Sequence, residues 1–229
     1  MLLEEFTSVG RTAPGMVLLP GWATDGRIFD GLFPGVAAVV AGPLRPEGFP
    51  DRLAAFLDGV ARGPVTVVGW SLGGFLAAEF ARRHPRRVRR VVLVGIRRRY
   101  PADAVEAVRE KLLRDRRACL SDFHAQCFFP SRMAAYREFR AGLQEEYLRE
   151  MDEKGLLSGL SYLSTASLSL SALPSCPVAI VHGEKDVVAP AGEAEEVAAE
   201  SGRASFHLLR GAPHAAFLDE RFRAVAADG

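Results

Sequence analysis

Cysteine is scarce. Cys119, Cys127 and Cys176 are too few and too scattered for a disulfide framework or a thiolate zinc site. Cys119 and Cys127 fall in a stretch that reads as helical and count as small apolar residues. Long apolar runs are missing too. None reaches the roughly 18 residues that a membrane span needs. The opening MLLEEFTSVGRTAPG has early acids and no signal-peptide apolar region, so the expected compartment is the cytoplasm. Charge of one sign is also lacking: 29 Lys and Arg face 28 Asp and Glu, a net +1. No bulk field therefore favours nucleic acid or a membrane surface. Repeats and low-complexity tracts are absent. The remaining material is 48% hydrophobic over 229 residues, enough for a sizeable core and suited to one α/β domain with an insertion.

What is present is alternation. Met16 to Leu19, Val36 to Val40, Val65 to Val68, Val91 to Val94, Val178 to Val181 and Ser205 to Leu209 read as short buried strands. Helical spacing separates them, as in Leu53, Phe56, Leu57 and Val60 on one face. Strand–helix–strand repetition predicts a mostly parallel sheet of about six to seven strands with helices on both faces. Right-handed crossovers then set the C-terminal strand ends along one edge, where ligands bind. The rhythm breaks between Arg97 and Ala172, where helical patterns run over Ala104 to Leu113, Met133 to Met151 and Gly155 to Ser171. Such a block is too long for a simple crossover. The expected division is a core of residues 1–96 and 173–229 with a helical lid at 97–172.

The segment VVGWSLGGFLAAEF, from Val67 to Phe80, carries G-x-S-x-G where a strand pattern gives way to a helical one. A serine on that turn takes a strained backbone position and presents its hydroxyl at the helix N-terminus. The alternative is a glycine-rich turn with an incidental serine, so partners for Ser71 decide its meaning. A serine hydroxyl needs a base, and the base needs a group to fix its tautomer. His84 ends the following helix, at the wrong end of the sheet. His182 and His207 lie in or beside strands and read as structural, and His124 lies in the lid. His214, in LLRGAPHAAFLDE, follows the last strand and suits the base. Asp186, in VHGEKDVVAP, suits the acid, with Glu184 as its local competitor. An oxyanion needs preorganised N–H donors. Leu72, after the serine, supplies one, and Trp22, in VLLPGWATDG, supplies the other unless it is a core aromatic.

In order, LLPGW, GWSLGG, VHGEKDVVAP and APHAAF resemble the α/β-hydrolase superfamily over nearly the whole chain. Within it the chain looks most like the pimeloyl-acyl-carrier-protein methyl ester carboxylesterases of biotin synthesis. Those pair a Gly-Trp oxyanion loop with a Gly-Trp-Ser-Leu-Gly-Gly turn, as at Gly21-Trp22 and Gly69 to Gly74. The resemblance implies Ser71 as nucleophile, His214 as base, Asp186 as its orienter, and Trp22 and Leu72 as oxyanion donors. It implies no metal or organic cofactor. It also implies an ester substrate carried on an acidic acyl carrier protein, held by basic lid residues. From Arg97 to Arg140 there are 11 Lys and Arg against 6 Asp and Glu, a local +5. Arg97, Arg98, Arg99, Arg114, Arg116, Arg117, Arg132, Arg137 and Arg140 are the candidates, with a solvated helical face as the alternative. Phe123, Cys127, Phe128, Arg137 and Arg140 are the candidates for substrate contact. The chain departs from the family in having Pro20-Gly21 where His-Gly is usual, a short N-terminal hairpin and a brief last helix. A monomer or weak oligomer is expected. Rival readings are a small-ester or thioester hydrolase, a lyase using the same triad as in menaquinone synthesis, and a non-catalytic receptor or scaffold.

Overall fold

The apolar runs pair into one sheet. In the computed structural model, which describes residues 5–173 and 176–227, the strands are β1 (Phe6–Val9), β2 (Met16–Leu19), β3 (Ala38–Ala41), β4 (Val65–Trp70), β5 (Val88–Val94), β6 (Val178–Gly183) and β7 (Ala204–Leu209). Their spatial order is β1-β3-β2-β4-β5-β6-β7. All neighbours run parallel except β1, which is antiparallel to β3 at the edge. Every residue of β2, β4 and β6 is buried, as in a parallel sheet covered on both faces.

The helices are α1 (Phe49–Val60), α2 (Leu72–Arg83), α3 (Ala102–Arg114), α4 (Arg116–Phe128), α5 (Met133–Phe139), α6 (Glu145–Glu150), α7 (Glu153–Leu163), α8 (Ala191–Ser201) and α9 (Glu220–Ala227). α2 is buried along its first seven residues, because Leu72, Phe75, Leu76 and the small residues among them pack against the sheet on one side and neighbouring elements on the others. α3 to α7 all fall between β5 and β6, so the helical block leaves the sheet at its C-terminal edge. No helix among the described residues is long and apolar enough to cross a membrane.

Several boundaries differ from the sequence reading. β3 starts at Ala38, because the Val36 N–H closes a turn on the Phe33 carbonyl and leaves Val36 exposed. The edge strand β1 is short and three of its four residues are exposed, so it lacks a burial pattern to betray it. The expected helix from Met133 to Met151 is interrupted by a π-helical turn at Arg140–Gln144, which contains Gly142. The expected helix from Gly155 stops at Leu163. There Ser164 Oγ and Thr165 Oγ1 donate back to the Ser161 and Tyr162 carbonyls, competing with the helical ladder.

Candidate active site

Four loops at the C-terminal sheet edge bring the site together. Ser71 follows β4 with φ 54° and ψ −118°, a positive-φ conformation that a non-glycine residue adopts only at a cost. The turn is held by Ser71 N–H donating to the Val94 carbonyl at 2.9 Å and by Gly74 N–H donating to the Ser71 carbonyl at 2.8 Å. Its flanking glycines are there for close approach. A Cβ on Gly73 would lie 2.3 Å from the Leu19 carbonyl oxygen, and one on Gly69 would lie 2.3 Å from that of Gly73.

His214 lies on the loop after β7 and is fully buried. Its carbonyl accepts the Trp70 indole N–H at 3.0 Å, which ties this loop to the residue before Ser71. Gly95, with φ +56°, passes directly under it, and a side chain there would meet the imidazole. His214 Nδ1 bonds Asp186 Oδ2 at 2.7 Å. Asp186 Oδ1 accepts the Val188 and Ala189 N–H groups at 2.8 Å each, and His182 Nε2, which donates to the Ala189 carbonyl at 2.8 Å, lies 3.2 Å from Oδ2. Burial by itself would raise the Asp186 carboxyl. The two imidazoles and their hydrogen bonds outweigh burial and hold it well below the usual carboxylate range. Glu184 is exposed and instead accepts the Gly211 N–H at 2.9 Å.

His214 Nε2 is buried and has no hydrogen-bond partner among the described residues. Ser71 Oγ lies 3.3 Å from the Tyr100 hydroxyl, which occupies it in this structure. Burial pushes the Tyr100 phenol up, so it stays neutral, and either hydroxyl can donate to the other. Tyr100 also lies beneath the Arg97 guanidinium, 5.3 Å from its ring centroid and within cation–π range. A cleft of about 480 Å³ opens on Tyr100 and is flanked by Arg97, Arg98, Arg99, Glu193 and Glu196. Sequence reasoning missed Tyr100. Its one signal was position, a few residues past the end of β5. The link from His182 to Asp186 was missed as well, since a histidine inside a strand looks structural.

Trp22 follows β2. Its indole N–H donates to the Leu156 carbonyl at 2.9 Å, and its ring meets Phe123 edge-on at 4.9 Å. The indole therefore faces the helical block. Leu72 opens α2, where backbone N–H groups have no intrahelical acceptor. Of the other residues singled out, Cys127 is buried and its carbonyl accepts the Ala215 N–H at 2.9 Å, beside His214. Burial raises its thiol well above the ordinary value. Phe128 packs on Tyr136 and Phe139 inside the helical block. Arg137 and Arg140 are exposed.

Many of the basic residues of the block are already engaged. Arg97 pairs with Glu193, Arg98 with Glu200, Arg117 with Glu145 and Arg132 with Asp219. Arg116 donates to the Leu148 and Met151 carbonyls. Arg99, Arg114, Arg137 and Arg140 are exposed and have no ion-pair partner among the described residues.

Known proteins share both sequence and architecture with this chain. It is 29% identical over 227 residues to a pimeloyl-[acyl-carrier protein] methyl ester esterase of Chromobacterium violaceum, covering 90% of this chain and 89% of that protein. It is 30% identical over 241 residues to a protein of the same name from Methylococcus capsulatus, covering 93% and 92%. The solved structure of an esterase from Exiguobacterium antarcticum superposes with a TM-score of 0.82 at 19% identity, covering 97% and 93%. The family described as alpha/beta hydrolase fold matches residues 45–221. That span runs from the approach to α1 past His214, through β4, the serine turn and the helical block, and the chain belongs to the α/β hydrolase fold family.

Proposed function

We propose that this hydrolase is a serine carboxylesterase acting through Ser71, His214 and Asp186. The observation that carries the reading is the buried His214 Nδ1–Asp186 bond of 2.7 Å, which leaves Nε2 free at the edge that holds the strained serine. Rotation about the Ser71 Cα–Cβ bond takes Oγ from Tyr100 to His214 Nε2. Oγ then attacks the ester carbonyl carbon, and its proton passes to Nε2. Asp186, ionised, holds the imidazole in the right tautomer and stabilises the imidazolium. The Trp22 and Leu72 backbone N–H groups receive the oxyanion. Collapse expels the alcohol, which takes the proton from His214. Water, deprotonated by His214, then attacks the acyl-enzyme, and Ser71 Oγ leaves with that proton as the free acid departs.

The substrate proposed is the methyl ester of a pimeloyl group on acyl carrier protein, in biotin synthesis. Support comes from the names of the relatives and from the exposed arginines of the helical block, residues 97–172, which serves as a lid. Methanol release from that substrate and turnover of p-nitrophenyl butyrate test the reading. Ser71→Ala and His214→Ala each remove nearly all activity on both, and the double variant loses little more, because the groups act as a unit. Asp186→Asn lowers kcat by about 10³–10⁴, whereas Glu184→Gln does not. Full turnover by Ser71→Ala sinks the mechanism. Activity on the small ester alone leaves an esterase with a different physiological substrate.

A further inference from the structure

The turn that carries Trp22 is tied to the helical block by a set of polar contacts. Trp22 Nε1 donates to the Leu156 carbonyl at 2.9 Å, and its indole rests against Gly159 of α7. His124 Nε2, on α4, donates to the Ala23 carbonyl at 2.9 Å. The Tyr147 hydroxyl, on α6, donates to Asp25 Oδ1 at 3.1 Å. Arg27 pairs with Asp25 at 2.8 Å inside the turn, and with Glu146 at 2.5 Å and Glu150 at 2.9 Å on α6. The guanidinium also lies over the Tyr147 ring.

Ala23 needs such support. Its φ is +58°, and besides Ser71 it is the non-glycine residue with positive φ among those described. That conformation is costly for an L-residue, so it persists only where its surroundings over-determine it. The Ala23 carbonyl is held by an imidazole that is itself buried among Phe123, Phe139 and Tyr147. Burial pushes the His124 imidazole down to about 4, against the opposing hydrogen bond, so it is neutral near pH 7. A neutral imidazole that donates from Nε2 leaves Nδ1 without its proton, and this Nδ1 is buried without a partner. The unmet atom is tolerated while Nε2 holds the turn.

We infer that His124 is a positioning residue that aims the Trp22 backbone N–H into the oxyanion site, with the Tyr147–Asp25–Arg27 brace as its second support. The docked position of the helical block then sets the geometry of one oxyanion donor, so cover and catalytic loop form one mechanical unit. This rests on the serine esterase reading, in which the Trp22 N–H receives the oxyanion.

The test uses His124→Leu, His124→Asn and Tyr147→Phe in the full chain, with p-nitrophenyl butyrate as substrate. A butyl trifluoromethyl ketone serves as the probe, since its hemiketal oxyanion on Ser71 requires the same donors. Loss of a whole oxyanion donor costs about 10²–10³ in kcat, so a misaimed one costs about 10–100-fold. His124→Leu is expected to lose kcat by that factor with KM within about threefold, the ketone weakening in parallel. His124→Asn, whose amide can donate to Ala23, regains part of both. Tyr147→Phe moves kcat and ketone affinity together by a smaller factor. A folded His124→Leu that keeps kcat and ketone affinity overturns the inference. If that variant does not fold, unchanged kcat and ketone affinity in Tyr147→Phe overturn it instead. If the ketone binds wild type and Ser71→Ala equally, the esterase reading itself has failed, an outcome distinct from either.

Discussion

Asp186 and His124 show how two buried polar residues serve opposite ends. Asp186 collects two backbone N–H groups and two imidazoles, so it stays ionised despite burial. His124 has one acceptor and otherwise aromatic surroundings, so it stays neutral. The sign of its contribution to stability follows. Above about 6.5, the unfolded value, neither state is protonated and the residue adds no pH slope. Below that, the unfolded chain takes up a proton that the buried imidazole refuses until about 4. The folded state therefore loses stability as pH falls from about 6.5 to about 4, by roughly 3 kcal/mol. Urea unfolding at pH 7 and at pH 4 checks this. The difference between the two pH values is expected to shrink by that amount in His124→Asn. Equal pH slopes in both proteins would count against a buried neutral imidazole. Asp186 acts in a lower window. Its stabilisation is present above the ordinary carboxylate value and is lost only as pH falls through its depressed folded value.

At the scale of elements, the contact between α2 and β2 sets how sharply the chain turns at Ser71. The approach is close enough that the Gly73 hydrogen faces the Leu19 and Pro20 carbonyls. Gly73→Ala forces α2 away and carries the Leu72 N–H with it. Overpacking of this kind costs about 1–3 kcal/mol, and the fixed backbone on both sides puts this case at the upper end. A fall in Tm of about 6–12 °C is expected for a chain of this size, with most esterase activity lost. Gly59→Ala is the control. It sits exposed in α1 with open space around it and gains helix propensity, so its Tm holds or rises. A Gly73→Ala melt that matches Gly59→Ala would show that the turn has more room than its geometry implies.

Across the whole molecule, near-neutral net charge hides an uneven distribution. The helical block has a local +5 from Arg97 to Arg140, but ion pairs within it and to Glu193, Glu200 and Asp219 outside it leave Arg99, Arg114, Arg137 and Arg140 as the exposed cations of that stretch without an ion-pair partner among the described residues. Exposed charges steer an acidic partner over distances comparable to the Debye length, about 8 Å at physiological salt. They act mainly on association rate. The kcat/KM for a pimeloyl-carrier-protein methyl ester is therefore expected to fall between about 20 and about 500 mM salt, as screening tightens. p-Nitrophenyl butyrate is expected to respond little. Arg137→Glu with Arg140→Glu reproduces the loss at low salt and spares the small ester. Equal salt sensitivity of the two substrates would reduce these arginines to solvated surface.

The fold class and the candidates for the chemistry were legible in the linear chain. β-branched runs, glycines beside Ser71 and turn residues around Asp186 and His214 act through local sterics, which a linear chain displays. The register of hydrophobic runs likewise told parallel sheet from helical block. The weakly patterned pieces escaped: β1 because its face is exposed, and the π-helical turn because backbone hydrogen bonding, not side-chain spacing, defines it. Which groups meet depends on three-dimensional packing. Ser71 finds Tyr100 29 residues away, His124 finds Ala23 101 residues away, and Arg97 is neutralised by Glu193 96 residues away. No periodicity encodes such pairs. They exist because packing the helical block on the sheet edge buries donors and acceptors together, and a buried polar group must find its partner in whatever that packing brings within reach.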